Sequence, residues 1–275
     1  MKKIIFLMLL SVFSMYYTNF SINLLRQKDP IMQEIKEKKA NYEEKYIDAK
    51  IVDNTIIPGK YGKKVNVNKS YSNMERYGAY NEILTVMEEV KPSISIEDTF
   101  DKYIEKGNNT NKNVALIFLY DDNISKINGI IQKKHIPINI FIDGIYLEES
   151  KSLINKSNYQ IELLSYDHRY EENTFKTSLS YLKSLTNREP HFCYTETINK
   201  ELLSLCSKEK LHTIKPYLII DNNLITNLKR NLTNGIIITI KSSSSNIYDL
   251  DSAIDYIINK GYDIVTLDTL IDENS

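Results

Sequence analysis

The sequence has no tryptophan, only two cysteines and almost no net charge, −1 at pH 7 over 275 residues. With charge so balanced there is no electrostatic footprint for nucleic acid, which needs a basic patch or stripe. Two thiols, Cys193 and Cys206, cannot make a zinc site by themselves. In an oxidising compartment they could pair; as two separate buried thiols they would be ordinary core material. No internal repeat is visible. Triplets such as Asn231-Leu232-Thr233 match the glycosylation pattern but carry no weight outside a eukaryotic secretory context. Tyrosine, by contrast, is abundant at 20 residues. Tyrosine-rich faces suit carbohydrate, although tyrosine is also common in cores and on surfaces.

A long hydrophobic run is missing everywhere except at the start. Lys2 and Lys3 precede the apolar run Ile4–Tyr17, a positive segment followed by a hydrophobic one, as in an export signal. No small-x-small cleavage site follows. The expectation is a signal that stays uncut as a single N-terminal membrane anchor, or a secreted protein if it is cleaved. A span needs about 20 apolar residues, which Ile4–Leu25 reaches only by tolerating Thr18, Asn19, Ser21 and Asn23. The alternative is a buried core helix. Positive residues before the run predict the bulk of the chain outside the cytoplasm, in the cell envelope.

Next, Asp29-Pro30 reads as an N-cap followed by proline at the first helical position. The charged stretch after it, with Glu34 and Lys38 as a favourable pair, reads as a solvated stalk helix. Ile51-Val52, Thr55–Ile57 and Val65–Val67 are short strand candidates, punctuated by Pro58-Gly59 and Tyr61-Gly62. Ile83–Val90 fits strand or short helix, and Ser95–Ile104 a capped helix. Gly107–Lys112 is a polar loop. These expectations divide the chain into a signal/anchor segment (1–25), a stalk helix with an accessory α+β region (26–110) and a main domain (111–275).

The main domain is organised around NVALIFLYDD at Asn113–Asp122. Val114–Tyr120 is an uninterrupted apolar and aromatic run, a better buried strand than a helix. It stops at Asp121 and Asp122, and Ile124, Ile127, Ile130 and Ile131 then fall at helical spacing. Strand, acidic pair, helix is how an α/β enzyme places polar groups at the carboxyl end of a strand. The plainer alternative is that Asp122 or Asn123 only caps the helix. Thereafter strands and helices alternate. Strands are expected at Ile138–Ile142, Tyr159–Leu164, His191–Tyr194, Leu211–Ile214, Leu218–Ile220, Gly235–Ile240 and Asp263–Leu267. Helices are expected at Tyr146–Ile154 and around Phe175–Leu182, Leu202–Cys206 and Leu250–Ile258. Such alternation predicts a parallel sheet or barrel, and the number of strands favours a barrel.

Over roughly 113–272 this order resembles the polysaccharide deacetylases of the NodB-homology type, carbohydrate esterase family 4. Leu119-Tyr120-Asp121-Asp122-Asn123 takes the place of the family's Thr-Phe-Asp-Asp-Gly. Pro137–Gly144 takes that of its Ala-Thr-Phe-Phe strand. Gly235–Ile240 followed by Lys260-Gly261-Tyr262-Asp263-Ile264-Val265-Thr266-Leu267 matches its end. The resemblance implies an α/β fold, a deformed (β/α) barrel of about seven strands. It also implies hydrolysis of N-acetyl groups assisted by a divalent metal, usually zinc on one Asp and two His, which polarises the carbonyl and activates water. Carried over by position, Asp121 resembles the catalytic base, and Asp122 and His168 resemble metal ligands. Leu164 stands where the first ligand His should be. Cys193 stands at the catalytic Arg, and Lys241 is near the place of the acid His. His135, His191 and His212 show no ligand spacing.

Three functions follow from the resemblance and its departures. One is a membrane-attached protein with weak or no catalysis that binds cell-wall glycan (peptidoglycan or another N-acetylated polysaccharide) or an envelope protein. The second is an active deacetylase of peptidoglycan or chitin-like glycan with a rearranged site. The third is a non-enzymatic envelope scaffold. Zinc binding is expected to be weak or absent.

Overall fold

The computed structural model describes residues 2–151 and 159–274. The chain forms two compact units, residues 1–46 with 61–91, and residues 47–60 with 92–275. Residues 47–60 and 92–110, grouped with the accessory region on sequence grounds, therefore fall in the larger unit.

The smaller unit begins with a helix at Lys2–Lys28. Among the described residues no helix is long and apolar enough to cross a membrane. Asp29 caps the next helix, Pro30–Lys38, by accepting the Ile31 N–H at 2.8 Å. This helix is not the solvated stalk expected. Met32 and Ile35 are buried with Val65, Tyr71 and Met74, because one apolar stripe survives among the charges. Glu34 and Lys38 do pair, at 2.7 Å on the surface. The Val65–Val67 strand candidate is corrected: the strand ends at Val65, and Asn66 caps a helix over Val67–Tyr77. The segment 83–90 resolves into a turn of 3₁₀ helix at Glu82–Leu84 and a strand at Met87–Val90.

The larger unit carries strands β1 (Lys50–Val52) and β2 (Thr55–Ile57). In chain order the smaller unit's pair is β3 (Gly62–Val65) and β4 (Met87–Val90). Then come β5 (Tyr103–Ile104), β6 (Asn113–Leu119), β7 (Ile138–Ile142) and β8 (Tyr159–Leu163). Strands β9 (Phe192–Tyr194), β10 (His212–Ile214) and β11 (Leu218–Ile220) follow. The last are β12 (Ile237–Ile240) and β13 (Asp263–Val265). The helix expected over Ser95–Ile104 is replaced by a 3₁₀ turn capped by Ser95 and by β5. Pairing of β5 with β10, which buries Tyr103 and Ile104, outweighs the local helical signal. The last strand is also shorter than expected, since Thr266 caps a helix at Leu267–Ile271. Of the helix expected at Tyr146–Ile154, a 3₁₀ turn occupies Gly144–Tyr146, and residues 152–154 lie outside the described residues.

Seven parallel strands, β6 to β12, make a deformed (β/α) barrel. They lie in two sheets, β11-β12-β6-β7-β8 and β1-β2-β5-β10-β9, and β13 adds to β6. One buried cluster holds Ala115, Ile117, Phe141, Phe192, Tyr194, Ile214 and Ile237, drawn from both sheets. It is the barrel interior. The alternate residues of the same strands, such as Leu116, Ile140 and Cys193, pack with the helices outside. Where β8 meets β9 a side chain replaces the ladder. The Glu162 carboxylate accepts the N–H groups of His191 (2.9 Å) and Phe192 (3.1 Å).

Candidate functional site

Ligands of parallel α/β folds bind at the carboxyl ends of the strands, and here that end is built from six inward positions. By alternation Leu119, Asp143, Leu164, Tyr194 and Lys241 close the interior of β6, β7, β8, β9 and β12, with Glu196 just beyond β9.

Asp121 and Asp122 are both exposed beyond β6. Neither Asp122 nor Asn123 caps the helix with its side chain; Asp121 instead forms the turn that leads into it. Its carboxylate accepts the Asn123 N–H at 2.9 Å, and its carbonyl accepts the Ile124 N–H at 3.0 Å. Asn123 makes no side-chain cap of its own. Burial, with help from Glu149 and then Asp122, holds the Tyr120 hydroxyl above its usual pKa.

His168 lies in a tight turn. Asp167 and His168 both have positive φ, 51° and 58°, a conformation that costs of order 1 kcal/mol or more for each such residue. Asp143 holds the turn. Its carboxylate accepts the N–H groups of Asp167 (2.8 Å), His168 (3.0 Å) and Ile145 (3.1 Å), and the Ser165 hydroxyl. Burial pushes the Asp143 carboxyl up, but these donors outweigh it and the pKa is lowered. The His168 side chain is 74% exposed, with Nδ1 3.8 Å from Asp143. Its contribution to the turn is made by the backbone.

Leu164 is half-buried and packs against the barrel interior with Leu119. Cys193 is disulfide-bonded to Cys206, with Cα atoms 6.3 Å apart. Its side chain lies in the helix-facing cluster while Phe192 and Tyr194 face inward. Cys193 therefore does not front the mouth as the carried-over Arg position implied; the inward residue is Tyr194, whose hydroxyl donates to Thr239 at 3.1 Å. Lys241 is ion-paired with Glu196, so its charge is already matched. Burial raises the Tyr170 hydroxyl, with Asp143 and Glu196 adding to it.

Among the described residues no group of three or more His, Cys, Asp or Glu side chains could hold a metal ion. A catalytic zinc takes three protein ligands, and Leu164 offers no donor atom beside Asp122 and His168. The residues present do not fit the group.

Sequence reading missed Asp143 and the Lys241–Glu196 pair. Asp143 carried the same signal as Asp121, a carboxylate directly after an apolar strand. It also missed Glu162, a charge inside an apolar strand, which burial raises to about pKa 7 against the hydrogen bonds from Gln160, Phe192 and His191.

No family model matches the chain. The uncharacterized protein YlxY of Bacillus subtilis (strain 168) is 26% identical over 281 residues, which cover 92% of this chain and 87% of that protein. The structure is similar to BA3943 from Bacillus anthracis, a CE4 family pseudoenzyme, with a TM-score of 0.67 and 21% identity over 90% of this chain and 96% of that one. A BA3943 mutant with restored enzymatic activity gives the same TM-score, covering 90% of this chain and 99% of that one at 21% identity. The peptidoglycan N-acetylglucosamine deacetylase Bc1960 is similar at a TM-score of 0.55 and 17% identity, over 63% of this chain and 95% of that one. The fold of this chain is the fold of the carbohydrate esterase family 4 polysaccharide deacetylases.

Proposed function

We propose that the chain is a divergent polysaccharide deacetylase-like protein that binds N-acetylated cell-wall glycan at the carboxyl end of its barrel and has little or no catalysis. The observation that carries this reading is Leu164, an apolar side chain packed into the mouth where a metal ligand would stand. Lys241 is held by Glu196, and Cys193 points away from the mouth. No residue at those places supplies the acid or the guanidinium that the resemblance implies. The similarity to a CE4 pseudoenzyme over 90% of the chain supports the same reading, as does the glycan substrate of Bc1960 for the choice of ligand.

The chain is exported and attached to the membrane in this proposal. Lys2-Lys3 and the run from Ile4 support it, and so does the apolar surface of Val12, Phe13, Met15 and Tyr16, all exposed on the first helix. The Cys193–Cys206 disulfide suits an oxidising compartment. Recovery of the full-length chain in a soluble cytosolic fraction would overturn export.

Pull-down on N-acetylated peptidoglycan, with chemically de-N-acetylated material as control, tests the function. Retention on the first and negligible acetate release are expected. Acetate release abolished by Asp122→Ala would make it an enzyme with a rearranged site. No retention on either would leave the scaffold reading.

A further inference from the structure

We propose that the amino end of the barrel holds a second binding site, for an anionic saccharide: a sugar unit bearing phosphate or carboxylate. A cavity of about 560 Å³ opens there, lined by Ile47, Asp48, Lys50, 57–60, 106–110 and 233–234. That volume is within the usual range of small-molecule sites, about 300–1,000 Å³. Its walls immediately precede β6 and β12, whereas Asp121 and Asp122 follow β6. The seven residues of β6, at about 3.3 Å each, put the two ends roughly 20 Å apart. One small ligand cannot reach both, and the inference does not rest on the glycan reading above.

The floor is backbone and is fixed in advance. Gly235 has φ +73°, and a Cβ there would meet the Asn108 carbonyl oxygen at 2.4 Å. A Cβ on Gly59 would meet the Ile47 carbonyl oxygen at 2.2 Å. The Asn108 amide donates to the Gly59 carbonyl at 3.1 Å, and the buried carboxylate of Glu273 accepts the Gly59 N–H at 2.6 Å. Binding therefore needs little ordering of the floor.

The rim supplies the chemistry. Three lysines, Lys50, Lys60 and Lys106, line the cavity with a single carboxylate, Asp48, and that carboxylate is already engaged by the N–H groups of Ser93 (2.6 Å) and Ile94 (3.0 Å). Lys106 is steered by the Tyr217 ring, 3.4 Å from its centroid. An excess of ammonium groups selects an anion. The Asn109 amide and the Thr110 and Thr233 hydroxyls line the same rim and can bond sugar hydroxyls, with the Asn234 amide held on the Asn109 carbonyl at 3.2 Å, which distinguishes this rim from a bare charge patch.

Calorimetric titration of the full chain with glucose 6-phosphate, glucuronate, inorganic phosphate and glucose tests the site. Saturable binding of glucose 6-phosphate or glucuronate, at least tenfold tighter than inorganic phosphate and absent for glucose, is expected. Whichever of the two sugars binds identifies the anion. The Lys50→Glu/Lys60→Glu variant should weaken it at least tenfold with an unchanged melting temperature and unchanged glycan retention. Lys106→Met should weaken it too, and serves if the double variant fails to fold. No saturable heat from either anionic sugar, affinity no better than inorganic phosphate, or insensitivity to these substitutions overturns the proposal.

Discussion

The two ends of the barrel are finished in opposite ways. At the carboxyl end the ionisable groups that the fold offers for chemistry, Asp121, Asp122 and the His168 ring, are exposed. The buried group there, Asp143, is spent on holding a turn. Towards the amino end several polar groups are buried and bonded within the fold itself. Glu162, inside the barrel, ties β8 to the start of β9, Gln160 accepts the Asp268 N–H at 3.0 Å, and Asn139 bridges Leu116 and Leu267. The difference teaches that polar residues whose partners lie within the barrel keep their geometry.

The largest effect expected is at Asp143. Replacing it by alanine strands the Ser165 hydroxyl and three N–H groups around two left-handed residues. Urea unfolding should show a loss of roughly 3–5 kcal/mol. Because the Asp143 pKa is lowered in the folded state, the stability it gives is present above the ordinary carboxylate range and is lost as pH falls. The stability advantage of the wild type over Asp143→Asn should therefore shrink as pH falls below the ordinary carboxylate range. A loss below about 1 kcal/mol would break the contrast between the ends.

Second comes the disulfide. Its sequence separation is 13, for which loop closure gives about 3 kcal/mol. Cys193→Ala with Cys206→Ala should lower stability by about 2–4 kcal/mol, and native unreduced protein should show no free thiol on labelling.

Third is the pH dependence set by Glu162 inside the barrel. Glu162 is raised to about 7 from 4.5, first by burial, so the folded state holds its proton where the unfolded chain has lost it. Wild-type stability should fall relative to Glu162→Gln as pH rises from about 4.5 to about 7, by roughly 1–3 kcal/mol. His212 works the other way. Burial, then His191, lowers it to about 4, and its contribution is lost as pH falls below 6.5. His191 is raised by Asp268, and its contribution fades as pH rises through its folded pKa. The difference between wild type and Glu162→Gln isolates the one group; parallel curves would show that Glu162 does not titrate there.

The smallest effect is at His168. Since its backbone makes the turn and its ring is exposed, His168→Ala should change stability by under about 0.5 kcal/mol. A larger loss would mean that the ring is held.

The barrel was legible because its strands are short apolar runs set between helical patterns. Val114–Tyr120, Ile138–Ile142 and Leu218–Ile220 are found within a residue of their expected bounds. The segment Ser95–Ile104 was not, since β5 is fixed by pairing with β10, far along the chain. The helix after Asp29 was legible but its burial was not, because its partners Tyr71 and Met74 lie on a later helix. At the site, the acidic pair at the end of β6 could be placed from sequence. The inward or outward direction of Cys193 could not, because a shift of one residue reverses the face.

The most direct test is metal content. Purified full-length protein, incubated with zinc and dialysed, is assayed by elemental analysis together with Leu164→His. Well under one zinc per chain is expected in the wild type, with higher occupancy in Leu164→His, which places a donor at the mouth without supplying the acid near Lys241. One tightly held zinc per wild-type chain, lost in Asp122→Ala, would contradict this expectation.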